Sequence, residues 1–270
     1  MPQLNRLANA VIGRAGMKCA GAIVGLTFAV ATHVEAAEIK VISTGGARAV
    51  MTSLVPEFER NSGHKVRIDF GTPGNMRDRL LQGEAADVAV AIAAILPDLE
   101  KAGKIAPDTR MEFAASHVGV VVRAGTARLD VSTPDGVKRA ILTAKTVALS
   151  DPKAGTQLGA TFIGAADRLG FGADLRSRVK LILGPGSDVA EAVARGEADL
   201  GVTLISEILP VAGAALGGEL PPDIMPPTVI HAFLASGVKD AETAKVFLDF
   251  LRSPDSSRVI EAKGMKPGLR

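Results

Sequence analysis

The chain has 270 residues, 47% of them hydrophobic, with 31 basic and 29 acidic side chains and a formal net charge of +2. That length suits one large or two small domains with ample apolar material for a core. Near-neutrality argues against nucleic acid or a polyanionic surface as partner, since either needs a clustered basic excess; the absence of Trp and Tyr argues against sugar platforms and cation cages, which use those rings.

Residues 1–36 read as an export signal. Arg6, Arg14 and Lys18 precede an apolar run from Ala20 to Ala31, and Val34-Glu35-Ala36 fits a small-x-small cleavage site. The run is shorter than the roughly 20 apolar residues a membrane span needs, so a periplasmic protein cleaved near Ala36 is expected. Without the signal's three basic residues and one acid, the chain carries 28 of each. The single cysteine, Cys19, lies in the signal, so neither a disulfide nor a cysteine zinc site is expected in the exported part.

From Ile39 onward, strand, Gly-containing loop and helix repeat, the pattern of an α/β protein with a parallel sheet. The first strand breaks at Ser43-Thr44-Gly45-Gly46 and is followed by Arg48 and a helical spacing over Ala49 to Arg60. Hydroxyls, backbone that can approach a ligand closely and helix-start N–H groups make this loop suited to an anion; by itself it is equally a strand-to-helix turn. Lys65 to Phe70 gives the next strand, Gly71 to Asn75 a second loop of this kind, and Met76 to Gln82 a helix. Asp87 to Ile92 is a strand and Ala93 to Lys101 a short helix. The β-branched run Val118 to Arg123 reads as a buried strand. A second series follows: a helix from Pro134 to Ala144, a strand from Thr146 to Ser150, the loop Asp151 to Thr156 and a helix reaching Leu169. Next come a strand from Lys180 to Leu183, the loop Gly184 to Ser187 before a helix through Val193, and a strand from Leu200 to Leu204 running into Ser206 and Glu207. Gly213 to Pro227, with two Pro-Pro pairs, is expected to be a loop, Thr228 to Leu234 a strand, and Asp240 to Arg252 and Pro254 to Ala262 helices.

Catalytic signatures are sparse. There is no phosphate-binding Gly-Lys-Ser/Thr loop, no Gly-x-Ser-x-Gly elbow and no His pair at metal-ligand spacing. With scattered histidines and no cysteine beyond the signal, no metal and no organic cofactor is expected. His64, His117 and His231 read more simply as surface or strand-end residues than as general bases. Glu207, just past a strand end, reads as a helix cap before it reads as a cleft acid. His231 and Glu207 are nevertheless the candidate proton-transfer groups. The small-residue loops all occupy the carboxyl ends of strands, the edge where open α/β sheets bind ligands.

Several segments resemble the molybdate-binding-protein-like branch of type II periplasmic solute-binding proteins, the exported receptors of ATP-driven importers. They are Leu54-x-Pro56-x-Phe58-Glu59-x-x-x-Gly63-x-x-Val66, Phe70-Gly71-x-x-Gly74, Gly83-Glu84-x-Ala86-Asp87-Val88, Asp151-Pro152 and Gly196-Glu197-Ala198-Asp199-x-Gly201. The resemblance implies a two-lobed α/β fold with a ligand cleft between lobes, and the permease of an ABC importer as partner. Two departures stand out. Pro73 replaces a serine that molybdate binders use, and Thr203-Leu204-Ile205 stands where they place a tyrosine. A tetrahedral oxyanion would lose neutral donors that are costly to omit once it is desolvated.

A monomeric receptor for a small organic anion, a di- or tricarboxylate, is therefore preferred. The expected ligand set is Ser43, Thr44, Gly45, Thr72, Gly74 and Asn75 from one lobe and Gly155, Thr156 and Ser187 from the other, with Arg48 as charge partner. Lobe 1 is expected over 38–117 plus 228–270 and lobe 2 over 118–227. A periplasmic isomerase of an unsaturated tricarboxylate, as in aconitate isomerases of the wider family, is the rival reading. A molybdate or other oxyanion receptor is the third.

Overall fold

The computed structural model describes residues 36–268; the signal segment lies outside them. Two sheets organise the chain. In the first, β1 (Glu38–Thr44) runs parallel to β2 (Lys65–Gly71) and to β3 (Val88–Ile92). β4 (Met111–Ser116) follows, and the chain then leaves this sheet at His117. The second sheet holds β5 (Val118–Arg123), β6 (Val147–Ser150), β7 (Val179–Ile182), β8 (Leu200–Leu204) and β9 (Ala214–Glu219), in the order β7-β6-β8-β5-β9. The chain then returns to the first sheet as β10 (Thr228–Leu234), antiparallel between β3 and β4, and closes it with β11 (Met265–Pro267).

Crossover helices cover both sheets, as parallel pairing demands. In the first series these are α1 (Arg48–Ser62), α2 (Pro73–Leu81) and α3 (Leu96–Lys101); in the second, α4 (Pro134–Thr143), α5 (Leu158–Arg168), α6 (Gly172–Arg176), α7 (Gly186–Ala194) and the single turn α8 (Ile205–Ile208). α9 (Ala241–Leu251) and α10 (Pro254–Ala262) pack back on the first series. Phe58 of α1 meets Phe247 of α9 edge-on at 4.8 Å, anchoring the C-terminal helices. Phe162 and Phe171 fill the core of the second sheet. Among the described residues, no helix is long and apolar enough to cross a membrane.

Three departures from the sequence reading have physical causes. The segment expected as a loop from Gly213 contains strand β9, Ala-Ala-Leu-Gly-Gly-Glu, which lacks any β-branched residue. It pairs with β5 because Gly217 and Gly218 leave room for Val122 and Val131, whose methyls would lie 2.9 and 2.5 Å from an added Cβ. α2 begins at Pro73, earlier than expected, because Thr72 caps it by accepting from the Asn75 N–H at 3.4 Å and Pro suits the first helical position. β4 and β11 carry too few β-branched residues to stand out and exist through pairing with β10 and each other.

A charge cluster ties the first strand to the end of α2. Glu84 accepts from Arg79 Nε at 2.6 Å and Lys40 Nζ at 2.8 Å, and Asp69 also lies near Arg79. The Arg79 guanidinium first, then the Lys40 ammonium, hold the Glu84 carboxyl down at about 2, against 4.5 when free. Its stabilisation is therefore full above pH ~4.5 and is lost as the pH falls towards about 2. Glu84→Gln should melt below wild type at neutral pH, and the two melting curves followed by circular dichroism should converge across that acid window. Gly159, buried in α5, offers a packing test: an added Cβ would lie 2.2 Å from the Ser150 carbonyl oxygen. Gly159→Ala should lower the unfolding free energy by about 1–3 kcal/mol in urea titration.

Candidate ligand-binding cleft

Four strand ends meet between the two sheets. β1 gives way at Thr44 to a 3-10 turn, Gly45–Ala47, and β2 at Gly71 to the Thr72 cap. β6 ends at Ser150, followed by a turn that Asp151 closes by accepting from the Lys153 N–H at 2.9 Å and that leaves through Gly155 with φ 78°. β8 ends at Leu204 beside the start of α7. Together these ends enclose a cavity of about 350 Å³.

Of the residues expected to bind ligand, Thr44, Gly45, Thr72 and Thr156 line this cavity, as does Glu207. Gly74 and Gly155 lie instead at a contact between the two loops. The Gly74 N–H donates to the Gly155 carbonyl at 2.8 Å, and an added Cβ on Gly74 would lie 2.9 Å from Gly155 Cα, so only glycine lets these backbones meet. Ser43 is fully buried and its hydroxyl donates to the Thr44 carbonyl at 3.2 Å. Asn75 lines a neighbouring open cavity and Ser187 a separate crevice. Arg48 lines both of those rather than the cleft, with its guanidinium 4.2 Å from the centre of the Phe70 ring. His231 also lies apart from the cleft lining: it is half-buried on β10, its Nδ1 has no partner, and burial pushes its pKa down.

Other lining groups went unnoticed in the sequence. Gln157 and Thr161 sit one turn apart at the start of α5, the Thr161 hydroxyl donating to the Gln157 carbonyl at 2.9 Å. Their place just beyond the Asp151 loop was the available signal. Thr203 and Thr228 contribute further hydroxyls, while Ile92, Leu158, Leu204, Met225 and Val229 supply apolar wall. Among the described residues, no Lys, Arg or His lines the cavity.

Glu207 is both the first-turn acid of α8 and a cleft group. It is buried and accepts from the Thr203 hydroxyl at 2.8 Å. Burial pushes its pKa up; the Thr203 hydrogen bond and the Gly186 and Leu204 N–H groups oppose that rise without cancelling it, and Asp188 adds to it. The neighbouring α7 must begin with glycine, because a Cβ at Gly186 would lie 2.0 Å from Glu207 Oε2 and 2.1 Å from Thr203 Oγ1. Across the cavity, Gly45 comes so close that an added Cβ would lie 3.6 Å from Glu207 Oε1. One carboxylate oxygen is thus held by Thr203 and the other faces the first loop. Among the described residues, no group of three or more His, Cys, Asp or Glu converges to hold a metal ion.

Comparison with known proteins agrees with this architecture. The family model described as bacterial extracellular solute-binding protein matches residues 39–266. An aconitate isomerase from Pseudomonas sp is 30% identical over 234 residues, covering 85% of this chain and 87% of that protein. The molybdate-binding protein ModA of Azotobacter vinelandii is 28% identical over 237 residues, covering 85% and 90%. The solved periplasmic molybdate-binding protein of the same organism superposes with a TM-score of 0.70 at 20% identity, covering 84% of this chain and 98% of that one. The two-sheet architecture and the match along nearly all of the described chain place it in the bacterial extracellular solute-binding protein family, among its ModA-like members.

Proposed function

We propose that the cleft captures a small organic anion bearing two or three carboxylates and that the protein delivers it to the permease of an ABC importer. The observation that carries this reading is the composition of the cavity: threonine hydroxyls, Gln157 and one buried acid set among apolar walls, in a space of about 350 Å³. That volume falls in the ~300–1,000 Å³ range of small-molecule pockets. An inorganic oxyanion has no carbon to lay against Ile92, Leu158 and Met225, whereas an organic acid does. The start of α7, a natural seat for an anion, already faces the Glu207 carboxyl, which takes up the Gly186 N–H that a tetrahedral dianion would need there. A protonated Glu207, by contrast, donates a hydrogen bond to a ligand carboxylate. Thr44, Gly45, Thr72 and Thr156 complete the donor set.

Lobe 1 (38–117 plus 228–270) and lobe 2 (118–227) close on the ligand about the chain crossings at His117 and at 220–227, in the manner of hinge closure. The sheet memberships support this division.

Glu207 and the aconitate isomerase relative favour a second reading, an isomerase on the same fold. As a carboxylate, Glu207 would take a proton from a carbon beside one ligand carboxylate. Now neutral, it would return that proton to the far end of the shifted double bond, consuming none overall. A carboxyl pKa shifted upward by burial suits such a base.

Calorimetry with di- and tricarboxylates beside molybdate, tungstate and sulfate tests the first reading. A carboxylate should bind and the oxyanions should not; molybdate binding with carboxylates silent would overturn it. Chromatography of cis- or trans-aconitate incubated with the protein separates receptor from isomerase, and turnover that disappears in Glu207→Gln while binding persists would establish the enzyme.

The same variant tests the role of the acid in binding. Because a neutral Glu207 donates and an ionised one repels, wild-type affinity for a carboxylate should fall, relative to Glu207→Gln, as the pH rises through the raised Glu207 pKa. The gap should reach about tenfold to a hundredfold, the value of a charge-assisted hydrogen bond of ~1.5–3 kcal/mol. Parallel pH profiles for the two proteins would remove Glu207 from the binding set.

A further inference from the structure

Gly45 and Glu207 also line a second crevice of about 450 Å³, and the charge missing from the cleft is found there. Arg48 opens α1 on one wall, and Lys263 follows α10 on another. Neither makes an ion pair among the described residues. Arg48 is exposed, and its guanidinium is steadied on the Phe70 ring at 4.2 Å rather than neutralised. Two acids lie in reach, Asp188 and Glu207. Burial and Glu191 push the pKa of Asp188 up, with Arg48 acting on it only at a distance, and Glu207 is shifted upward by burial.

The remaining walls divide between hydroxyls and hydrocarbon. Thr52 and Ser53 project from α1 and Ser187 from α7, while Leu209, 51% exposed, and Pro210 form an apolar shelf. We propose that this crevice is a second binding site, separate from the cleft, for a small organic acid: its carboxylate meets Arg48 and Lys263, and its carbon skeleton covers Leu209 and Pro210. A guanidinium presents a planar fork that matches a carboxylate in two parallel hydrogen bonds, and an ammonium adds a compact charge beside it. The apolar shelf distinguishes an organic acid from inorganic phosphate, which uses the cations alone.

The crevice is assembled from both halves of the chain. α1 and α10 belong with the first sheet and α7 and α8 with the second, and at the same junction the Ser206 hydroxyl donates to the Gly46 carbonyl at 2.9 Å and accepts from the Ser116 hydroxyl at 3.1 Å. An anion seated there joins the two halves and favours the arrangement in which Gly45 faces Glu207. Occupation of the crevice therefore tightens binding in the cleft.

Calorimetry on the mature protein with citrate, succinate and inorganic phosphate, in wild type and in the double variants R48E/K263E and R48Q/K263Q, tests the site. Wild type should take up two equivalents of an organic acid. R48E/K263E should take up one, with the lost site the one that phosphate occupies only weakly, and R48Q/K263Q should weaken that site by about tenfold to a hundredfold. Thermal unfolding of both variants near the wild-type temperature keeps misfolding out of the comparison. If the cleft reading fails and the crevice stands, wild type binds one equivalent and R48E/K263E none. Wild-type stoichiometry and affinity retained in both variants, or phosphate binding there as tightly as the organic acids, would overturn the proposal.

Discussion

A carboxyl group buried without a cation sets the character of this protein's centre. Glu207 sits where β8, α7 and α8 meet, its charge opposed by burial and helped only by a threonine hydroxyl and backbone N–H groups. Keeping a carboxylate there costs several kcal/mol unless it takes up a proton. The surroundings are shaped to accept it all the same: Gly186 gives up its side chain so that Oε2 and Thr203 Oγ1 fit, and the first loop approaches through Gly45. On the isomerase reading, it is this constraint, burial at the wall of a cavity with the pKa shifted upward, that fits the group for proton exchange with a ligand.

This arrangement changes what the family fold can recognise. The ends of parallel strands and the helix starts behind them present N–H groups, and in a site with nothing else in the way those groups favour a compact anion. Here part of that capacity is turned inward to Glu207, Pro73 offers no N–H or hydroxyl, and Leu204 adds hydrocarbon. The polar side chains left over are mainly threonines, with Ser150 and Gln157, spaced around a cavity with apolar walls. On the proposed reading, such a surface discriminates by the placement of carboxylates along a carbon chain more than by charge.

Much of the fold was legible in the sequence because β-branched runs and glycine-ended helices alternate so regularly from Ile39 to Leu204. Strands made by their neighbours were not: β9 has no β-branched residue and owes its place to two glycines packed under Val122 and Val131, and β11 is three residues long. The site was legible at the level of loops and less so at the level of side chains. Thr44, Thr72 and Thr156 were identifiable because loop positions announce themselves. Arg48 lines neighbouring crevices and not the cavity, a difference its sequence position does not carry, since one residue past a loop fixes neither which side of the Gly45 wall a guanidinium takes nor that Phe70 stands ready to hold it. The cleft role of Glu207 was obscured for a similar reason: an acid in the first turn of a helix has the same local signature whether it faces water or a buried threonine.

The two glycines at the loop contact complete the physical picture. Gly74 and Gly155 bring backbone to backbone across the cleft with a single N–H to carbonyl bond of 2.8 Å. A bond of this kind contributes on the order of 1 kcal/mol net, since water replaces it when the loops part. The second connection, Ser116 to Ser206 to Gly46, is buried and retains its partners only while the first loop stays against α8. A weak, readily hydrated latch at the loop contact and a buried polar junction beneath it allow the loops to separate without exposing the cores of either sheet. On the proposed reading, a ligand that bridges Thr72 on one side and Thr156 on the other adds its own hydrogen bonds to the latch, and closure and recognition draw on the same few groups.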